Sequence, residues 1–168
     1  MLALVGFGWF AKKKVMAMPG YRGKFTPRNP HKYKGDLTKR FNYRSLWERR
    51  AMKYFDDNPN VLEWGDEGTV VIQYWNPVKR RPARYFVDFW IKVQTRSGEL
   101  KTYIIEVKPK SQCNPPDKRI LLDHPRRYKK AAVTFAVNQA KWQAALEFCQ
   151  ESSTGVQFRI LTEEDLKI

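Results

Sequence analysis

The sequence predicts an α/β fold in which a central mixed sheet is flanked by helices. Segments with helical and strand-like patterns follow one another in the order helix, strands, helix, strand, which is typical of this class. A chain of 168 residues of which 42% are hydrophobic is long enough to bury one core. We therefore expect a folded core over residues 45–168, preceded by a basic N-terminal arm over residues 1–44.

The predicted arm carries most of the positive charge. Residues 1–44 hold eleven Lys and Arg residues and one acidic residue, which is +10 of the formal net charge of +15. Proline and glycine recur there without sustained periodicity. Its apolar start, residues 1–10, is too short to span a bilayer, and the lysines follow that run, the reverse of a secretory signal. We expect the arm to bind DNA or an acidic protein surface, and we expect no membrane partner.

Two helices are predicted from their end signals and apolar spacing. The first begins after Ser45, because Ser45 and Glu48 have the spacing of a capping box, and it ends near Pro59. A longer helix covers roughly residues 129–150, after a loop over residues 111–117.

Four strand-like runs lie between these helices, and each is rich in β-branched and aromatic residues. The turn at residues 97–98 favours an antiparallel hairpin between the third run and the fourth. A final strand, residues 156–161, completes the set. The four runs cover residues 61–64, 69–75, 85–91 and 103–110.

Three ionisable residues occupy the last two of these runs. Asp88 lies in one, and Glu106 and Lys108 lie in the other, after 17 intervening residues. Because side chains alternate faces along a strand, Glu106 and Lys108 point the same way. If the two strands pair, an Asp, a Glu and a Lys converge on one spot.

This trio has the chemistry of a metal-dependent nuclease. Asp88 and Glu106 are suitable ligands for Mg²⁺ or Mn²⁺, and the backbone carbonyl of Val107 is a third candidate. Lys108 is suited to orient or help deprotonate the attacking water and to stabilise a charged transition state. Two carboxylates followed by x-Lys on paired strands form the minimal signature of the PD-(D/E)xK nucleases, a pattern that is weak by itself.

Each candidate also has a purely structural interpretation. Asp88 and Lys108 are able to form an ion pair across a hairpin, and Glu48 is expected at its position for capping alone. On the long helix, Gln139 and Lys141 face either a site or solvent, and the sequence alone favours solvent. Eight further basic residues either follow a phosphate backbone or form a solvated face, and the charge imbalance favours phosphate contact. They are Lys79, Arg80, Arg81, Arg84, Arg126, Arg127, Lys129 and Lys130.

Other cofactor chemistries lack their motifs in this sequence. No Gly-rich loop ending in Gly-Lys-Ser or Gly-Lys-Thr is present, so we expect no nucleotide cofactor. Cys113 and Cys149 stand alone, without a partner at zinc-binding spacing.

Longer segments resemble the head completion nucleases of T-even-like tailed phages and, more distantly, the endonuclease subunit of a bacterial cut-and-paste transposase. The resemblance covers about residues 30–165 and departs from the phage pattern at the start of the chain. Two motifs are Tyr43-Arg44-Ser45-Leu46-Trp47-Glu48 and Ile105-Glu106-Val107-Lys108-Pro109-Lys110. The other matching segments are residues 32–36, 84–90, 137–138, 141–145 and 158–163.

The resemblance implies a PD-(D/E)xK, restriction-endonuclease-like core and Mg²⁺-dependent endo- or exonucleolytic cleavage of double-stranded DNA. It implies action at head completion or head–tail joining, in the host cytoplasm or the virion head–neck region, with portal, neck or other head completion proteins as partners. Glu48 then joins Asp88, Glu106 and Lys108 at the metal site. Transposase-like relatives further suggest Gln139 and Lys141 as additional candidates.

Two other functions remain open at this point. One is a non-catalytic structural head–neck protein that uses the same fold to bind DNA or the portal. The other is a restriction or junction-resolving enzyme of the same superfamily, which the lack of a separate target-recognition segment disfavours. The intact trio favours cleavage over a purely structural role.

Overall fold

The computed structural model describes residues 22–36 and 42–166. The helices are α1 (Leu46–Asp57), α2 (Lys110–Cys113), α3 (Arg119–Asp123) and α4 (Pro125–Glu151), and a 3₁₀ turn covers Pro30–Lys32. The strands are β1 (Gly23–Lys24), β2 (Asn42–Tyr43), β3 (Val61–Gly65), β4 (Val71–Asn76), β5 (Arg81–Phe86), β6 (Phe89–Gln94), β7 (Leu100–Val107) and β8 (Gln157–Leu161).

A four-stranded mixed sheet forms the centre of the fold, with the strand order β3-β6-β7-β8. The strands β3, β6 and β7 pair antiparallel, and β8 pairs parallel to β7. The hairpin between β6 and β7 turns over residues 95–99, where Gly98 takes a φ of 84°, a conformation that favours glycine. A mixed sheet flanked by helices is the architecture that the sequence predicts.

The sheet has an apolar layer on each face, because neighbouring residues of β7 point in opposite directions. Ile105 and Val107 pack toward α1, whereas Ile104 packs toward α4. Around Ile105, the first layer is built from Ala51, Met52, Phe55, Val61, Trp64, Phe89 and Ile91. Around Ile104, the second is built from Ile72, Tyr74, Tyr85, Val87, Trp142, Ala145, Val156 and Phe158.

The strands β4 and β5 form a separate two-stranded hairpin. Its inner face, which includes Ile72, Tyr74 and Tyr85, is buried in the layer beneath α4. Its outer face exposes Trp75 and, at the tip, Val78. The hairpin thus covers one face of the central sheet and leaves its own outer face open.

The segment before α1 packs directly on the core. Tyr33 is buried with its ring centroid 4.8 Å from that of Trp64. The carboxylate of Asp56, which is fully buried in α1, accepts hydrogen bonds from the backbone N–H groups of Arg28 (2.7 Å) and Asn29 (3.2 Å). These contacts hold residues 22–36 against α1 and β3. The apolar residues 1–10 and the lysines that follow them lie outside the described residues.

The predicted strand over residues 85–91 is wrong in one respect, because the chain forms two strands there. β5 ends at Phe86 and pairs with β4, whereas β6 begins at Phe89 and pairs with β3 and β7. Asp88 lies in the break, where its Oδ2 accepts the Val107 N–H at 2.8 Å. That side-chain hydrogen bond occupies an N–H group that continued strand pairing would need. Both pieces are rich in aromatic residues, so composition does not reveal the break.

Other boundaries also differ from the sequence prediction. The fourth run, predicted over residues 103–110, is β7 over Leu100–Val107, so that Lys108 lies just after the strand. The predicted loop over residues 111–117 includes most of the short helix α2. The long helix begins at Pro125, about one turn earlier than predicted. Proline is well suited to the first helical position, but the basic residues that follow it are unfavourable near the positive end of a helix dipole. Among the described residues, no helix is both long enough and apolar enough to cross a membrane.

Candidate active site

The structure brings Asp88, Glu106 and Lys108 together at one end of the central sheet. The Nζ atom of Lys108 lies 2.6 Å from Glu106 Oε1. Asp88 is tied to the residue between them through the Val107 N–H. The two strand-end segments therefore meet as the sequence predicts, although Asp88 reaches the site from a break between strands.

Burial and like charge dominate the electrostatics of Asp88. Removal from water raises its pKa, the negative charge of Glu106 raises it further, and the charge of Lys108 and the Val107 hydrogen bond lower it only in part. The result is a pKa of about 7 for Asp88. A bound cation would favour the ionised form of a buried carboxyl group that lies beside a second carboxylate.

Lys108 is held as an ammonium by its neighbours. Burial lowers its pKa, but the charges of Glu106 and Asp88 outweigh burial, so that the pKa of Lys108 is raised overall. Its side chain is 24% exposed, whereas that of Glu106 is 2% exposed. Among the described residues, the ion pair of Lys108 is with Glu106, not with Asp88 as the structural interpretation supposed. A charged lysine here is suited to orient a water or stabilise negative charge.

Glu106 has a second protein partner, which the sequence reasoning missed. The hydroxyl of Tyr85 donates a hydrogen bond to Glu106 Oε2 at 2.7 Å, and Tyr85 is 1% exposed. Burial and the charge of Glu106 both raise the pKa of Tyr85, so the phenol remains a donor. A glutamate in an apolar strand needs buried partners. That requirement was readable from the sequence, but the identity of the partner was not.

Glu48 forms the capping box and also borders the site. Its N–H donates to Ser45 Oγ (3.1 Å), and its carboxylate accepts from Ser45 Oγ (3.1 Å) and from the Arg44 N–H (2.7 Å). The same side chain lines a cleft with Asp88 and Lys108, and its charge contributes to the raised pKa of Asp88. The capping and site interpretations are therefore compatible.

The cleft in front of this site has a volume of about 1080 Å³ and a mixed polar lining. Arg44 borders it and forms an ion pair with Glu67. Sequence reasoning expected the arm to be basic but did not single out its cleft residues. Besides Arg44 and Lys108, the basic residues of the lining are Arg22, Lys24 and Lys34.

The donor set fits a divalent cation that keeps part of its hydration shell. Among the described residues, no three His, Cys, Asp or Glu side chains are grouped at metal-binding distances. Asp88 and Glu106 supply two carboxylates, and Mg²⁺ is commonly held by one or two carboxylates together with waters and substrate phosphates. The raised pKa of Asp88 has the sign expected for such a site.

The long-helix candidates differ in position. Gln139 is exposed and does not line the cleft. Lys141 is half-buried, and its ammonium lies 5.1 Å from the ring centroid of Tyr85 and 5.9 Å from that of Tyr74. Lys141 therefore reaches the residue behind Glu106 rather than Glu106 itself.

The eight predicted DNA-contacting residues are all exposed and form two groups outside the cleft lining. The first group, on the β4–β5 hairpin, is Lys79, Arg80, Arg81 and Arg84. The second, in the first turns of α4, is Arg126, Arg127, Lys129 and Lys130.

Comparison with known proteins finds a family and a relative that the chain resembles. Residues 58–163 match the family described as TnsA-like endonuclease N terminal, a range that contains Asp88, Glu106 and Lys108 but not Glu48. The chain is also similar to the head completion nuclease of Enterobacteria phage T4, with 38% identity over 149 residues. That similarity covers 88% of this chain and 94% of the phage protein. The mixed sheet with flanking helices is consistent with a restriction-endonuclease-like fold, as the sequence predicts.

Proposed function

This chain belongs to the TnsA-like endonuclease N-terminal family, and from that membership we propose that it is a metal-dependent nuclease of double-stranded DNA. The observation that carries the proposal is the convergence of Asp88, Glu106 and Lys108 at one strand end. The similarity of the chain to a protein named head completion nuclease favours action in phage head completion or head–tail joining. The setting would be the host cytoplasm during assembly, or the virion head–neck region.

The candidate ligands are Asp88, Glu106 and the backbone carbonyl of Val107, with Glu48 at the border of the site. Bound Mg²⁺ or Mn²⁺ would neutralise phosphate charge and lower the pKa of a coordinated water. Asp88 and Glu106 contribute the negative potential that draws a cation into the cleft. Glu48 adds to this potential while its own carboxylate is held by the capping box.

Lys108 acts on the phosphate and the attacking water as a fixed positive charge. Its contact with Glu106 places the ammonium beside the candidate ligands. In a water-poor site, a preset charge stabilises developing negative charge more strongly than it would in bulk solvent. Because the pKa of Lys108 is raised, orienting the water and stabilising the transition state suit it better than accepting a proton.

DNA contact outside the cleft is assigned to the exposed basic residues. The β4–β5 hairpin carries four of them, and β5 ends two residues before Asp88. The basic turns of α4 form a second contact region. Such contacts position a duplex without reading its sequence.

The test is cleavage of a supercoiled plasmid in Mg²⁺ and in EDTA. Wild-type protein should cut only with the metal, whereas Asp88→Ala and Lys108→Ala should each lose at least about 100-fold in rate, as removal of a single preset charge commonly causes. Both variants should retain binding to duplex DNA. Matched controls are Glu99→Ala, in the turn before β7, and Lys101→Ala, near the start of β7, and both should cut at the wild-type rate.

Cleavage in EDTA would contradict the metal requirement. Cleavage by Asp88→Ala at the wild-type rate would contradict the assignment of the site.

A structural head–neck role is the second candidate, and one observation favours it. Both carboxylate oxygens of Glu106 already have protein partners, Lys108 and Tyr85. The plasmid test separates the two functions, because a purely structural protein would bind DNA or the portal without Mg²⁺-dependent cutting.

A further inference from the structure

Tyr85 is a buried neighbour of the candidate metal site. Its hydroxyl donates to Glu106 Oε2 at 2.7 Å, and Lys108 Nζ lies 2.6 Å from Glu106 Oε1. Tyr85 is 1% exposed and Glu106 is 2% exposed, so neither group relies on water for this contact. The two donors therefore contact the two different oxygens of the Glu106 carboxylate and fix its orientation.

The ring of Tyr85 is itself held in place. It packs in the apolar layer beneath α4 together with Ile104 and Trp142. The ammonium of Lys141 lies 5.1 Å from its ring centroid, within the range of a cation–π contact. A chain of contacts thus runs from α4 through Lys141 and Tyr85 to Glu106.

We propose that Tyr85 is a positioning residue for the cation site, and that Lys141 supports the Tyr85 ring from α4. An ionised carboxylate offers about four acceptor sites, so Tyr85 and Lys108 leave others open to a cation. The hydrogen bond from the Tyr85 hydroxyl sets the direction in which the remaining acceptor sites of the Glu106 carboxylate point. This inference rests on the proposed function. It gives Lys141 an indirect role, because Lys141 contacts Tyr85 and not the candidate metal ligands.

Loss of the Tyr85 hydroxyl should allow the Glu106 carboxylate to rotate, while the aromatic ring that remains still fills its place in the apolar layer. The terminal torsion of a glutamate is broad and roughly two-fold, so a carboxylate with one fixed oxygen is free to turn. Outer-shell partners of metal ligands typically account for about 10- to 100-fold in metal affinity or activity. The expected defect is therefore weaker metal binding.

The test compares Tyr85→Phe with Tyr74→Phe. Tyr74 lies in the same apolar layer and its ring also faces Lys141, but its hydroxyl accepts from Asn76 Nδ2 at 3.1 Å. Mn²⁺ binding to DNA-free protein is measured by electron paramagnetic resonance, and plasmid cleavage is measured across a series of Mn²⁺ concentrations. Tyr85→Phe should raise both the Kd and the half-saturating Mn²⁺ concentration about 10- to 100-fold. At saturating Mn²⁺ its rate should largely recover, and Tyr74→Phe should match wild type in both assays.

Equal Mn²⁺ affinity in the two variants would overturn the inference, as would a Tyr85→Phe defect that saturating metal does not reduce. Urea unfolding shows whether Tyr85→Phe is folded. If it is not, Lys141→Met decides: a raised Kd for Mn²⁺ supports the inference, and an unchanged Kd overturns it. Wild-type protein that neither binds Mn²⁺ nor cuts would overturn the proposed function as well, whereas active wild type with an unaffected Tyr85→Phe overturns this inference alone.

Discussion

At the scale of single residues, the ionised carboxylate of Asp88 lowers the stability of the folded chain. Burial and the charge of Glu106 raise the pKa of the Asp88 carboxyl group from an ordinary value of 3.8 to about 7 in the folded chain. Between these two pH values the folded chain binds more protons than the unfolded chain. Its stability therefore falls as the pH rises through this window.

Asp88→Asn should remove that pH dependence. An asparagine oxygen is still able to accept the Val107 N–H, but the side chain cannot ionise. In EDTA the variant should be more stable than wild type at pH 8, and the difference should shrink toward pH 4, as measured by urea midpoints across pH. Glu99→Gln, at an exposed position, serves as the control. A stability difference of the same size at every pH would contradict the assigned pKa.

At the scale of elements, the β4–β5 hairpin is expected to contribute affinity for DNA rather than sequence specificity. Lys79 and Arg81 are exposed near its tip. Each phosphate contact contributes about one unit to the slope of log affinity against log salt concentration.

The double variant Lys79→Ala/Arg81→Ala should lower the salt slope of duplex binding by about 2. Fluorescence anisotropy with a labelled duplex measures the slope, in EDTA to prevent cutting. Arg96→Ala/Lys101→Ala, a basic pair of the β6–β7 hairpin, should leave it unchanged. An equal fall in both doubles would indicate a general effect of net charge instead of contact at the β4–β5 hairpin.

These elements also show what the sequence could and could not predict. The capping box at Ser45 and the β6–β7 hairpin follow from local signals, and the structure confirms both. The break at Asp88 is non-local, because it depends on the pairing of β5 with β4 and of β6 with β7. Tyr85 was missed for the same reason, since only the packing of the β4–β5 hairpin brings its hydroxyl to Glu106.

At the scale of the whole molecule, the basic segment before α1 is partly built into the core. Tyr33 and Tyr43 are buried, and the Asp56 carboxylate holds backbone N–H groups of the segment. Functional study of this segment must therefore separate loss of charge from loss of packing.

Deleting residues 1–44 should lower the free energy of unfolding by more than about 3 kcal/mol relative to deleting residues 1–21, because only the longer deletion removes residues 22–44. The longer deletion removes two buried tyrosines, and large-to-small core changes cost about 3–5 kcal/mol each. Urea unfolding with circular dichroism measures both. Equal stability of the two deletions would show that residues 22–44 add nothing to the core.

The parallel pairing of β8 with β7 has a consequence for synthesis on the ribosome. The Lys108 N–H donates to Leu161 O at 2.9 Å, and Glu106 pairs with Ile160. The ribosome must therefore synthesise the 27 residues of α4 before β7, which carries Glu106, is able to pair with β8. A nascent chain that lacks β8 holds the acidic residues and the lysine without the backbone that aligns them. Until β8 has joined the sheet, β7 is therefore an edge strand of a three-stranded antiparallel sheet.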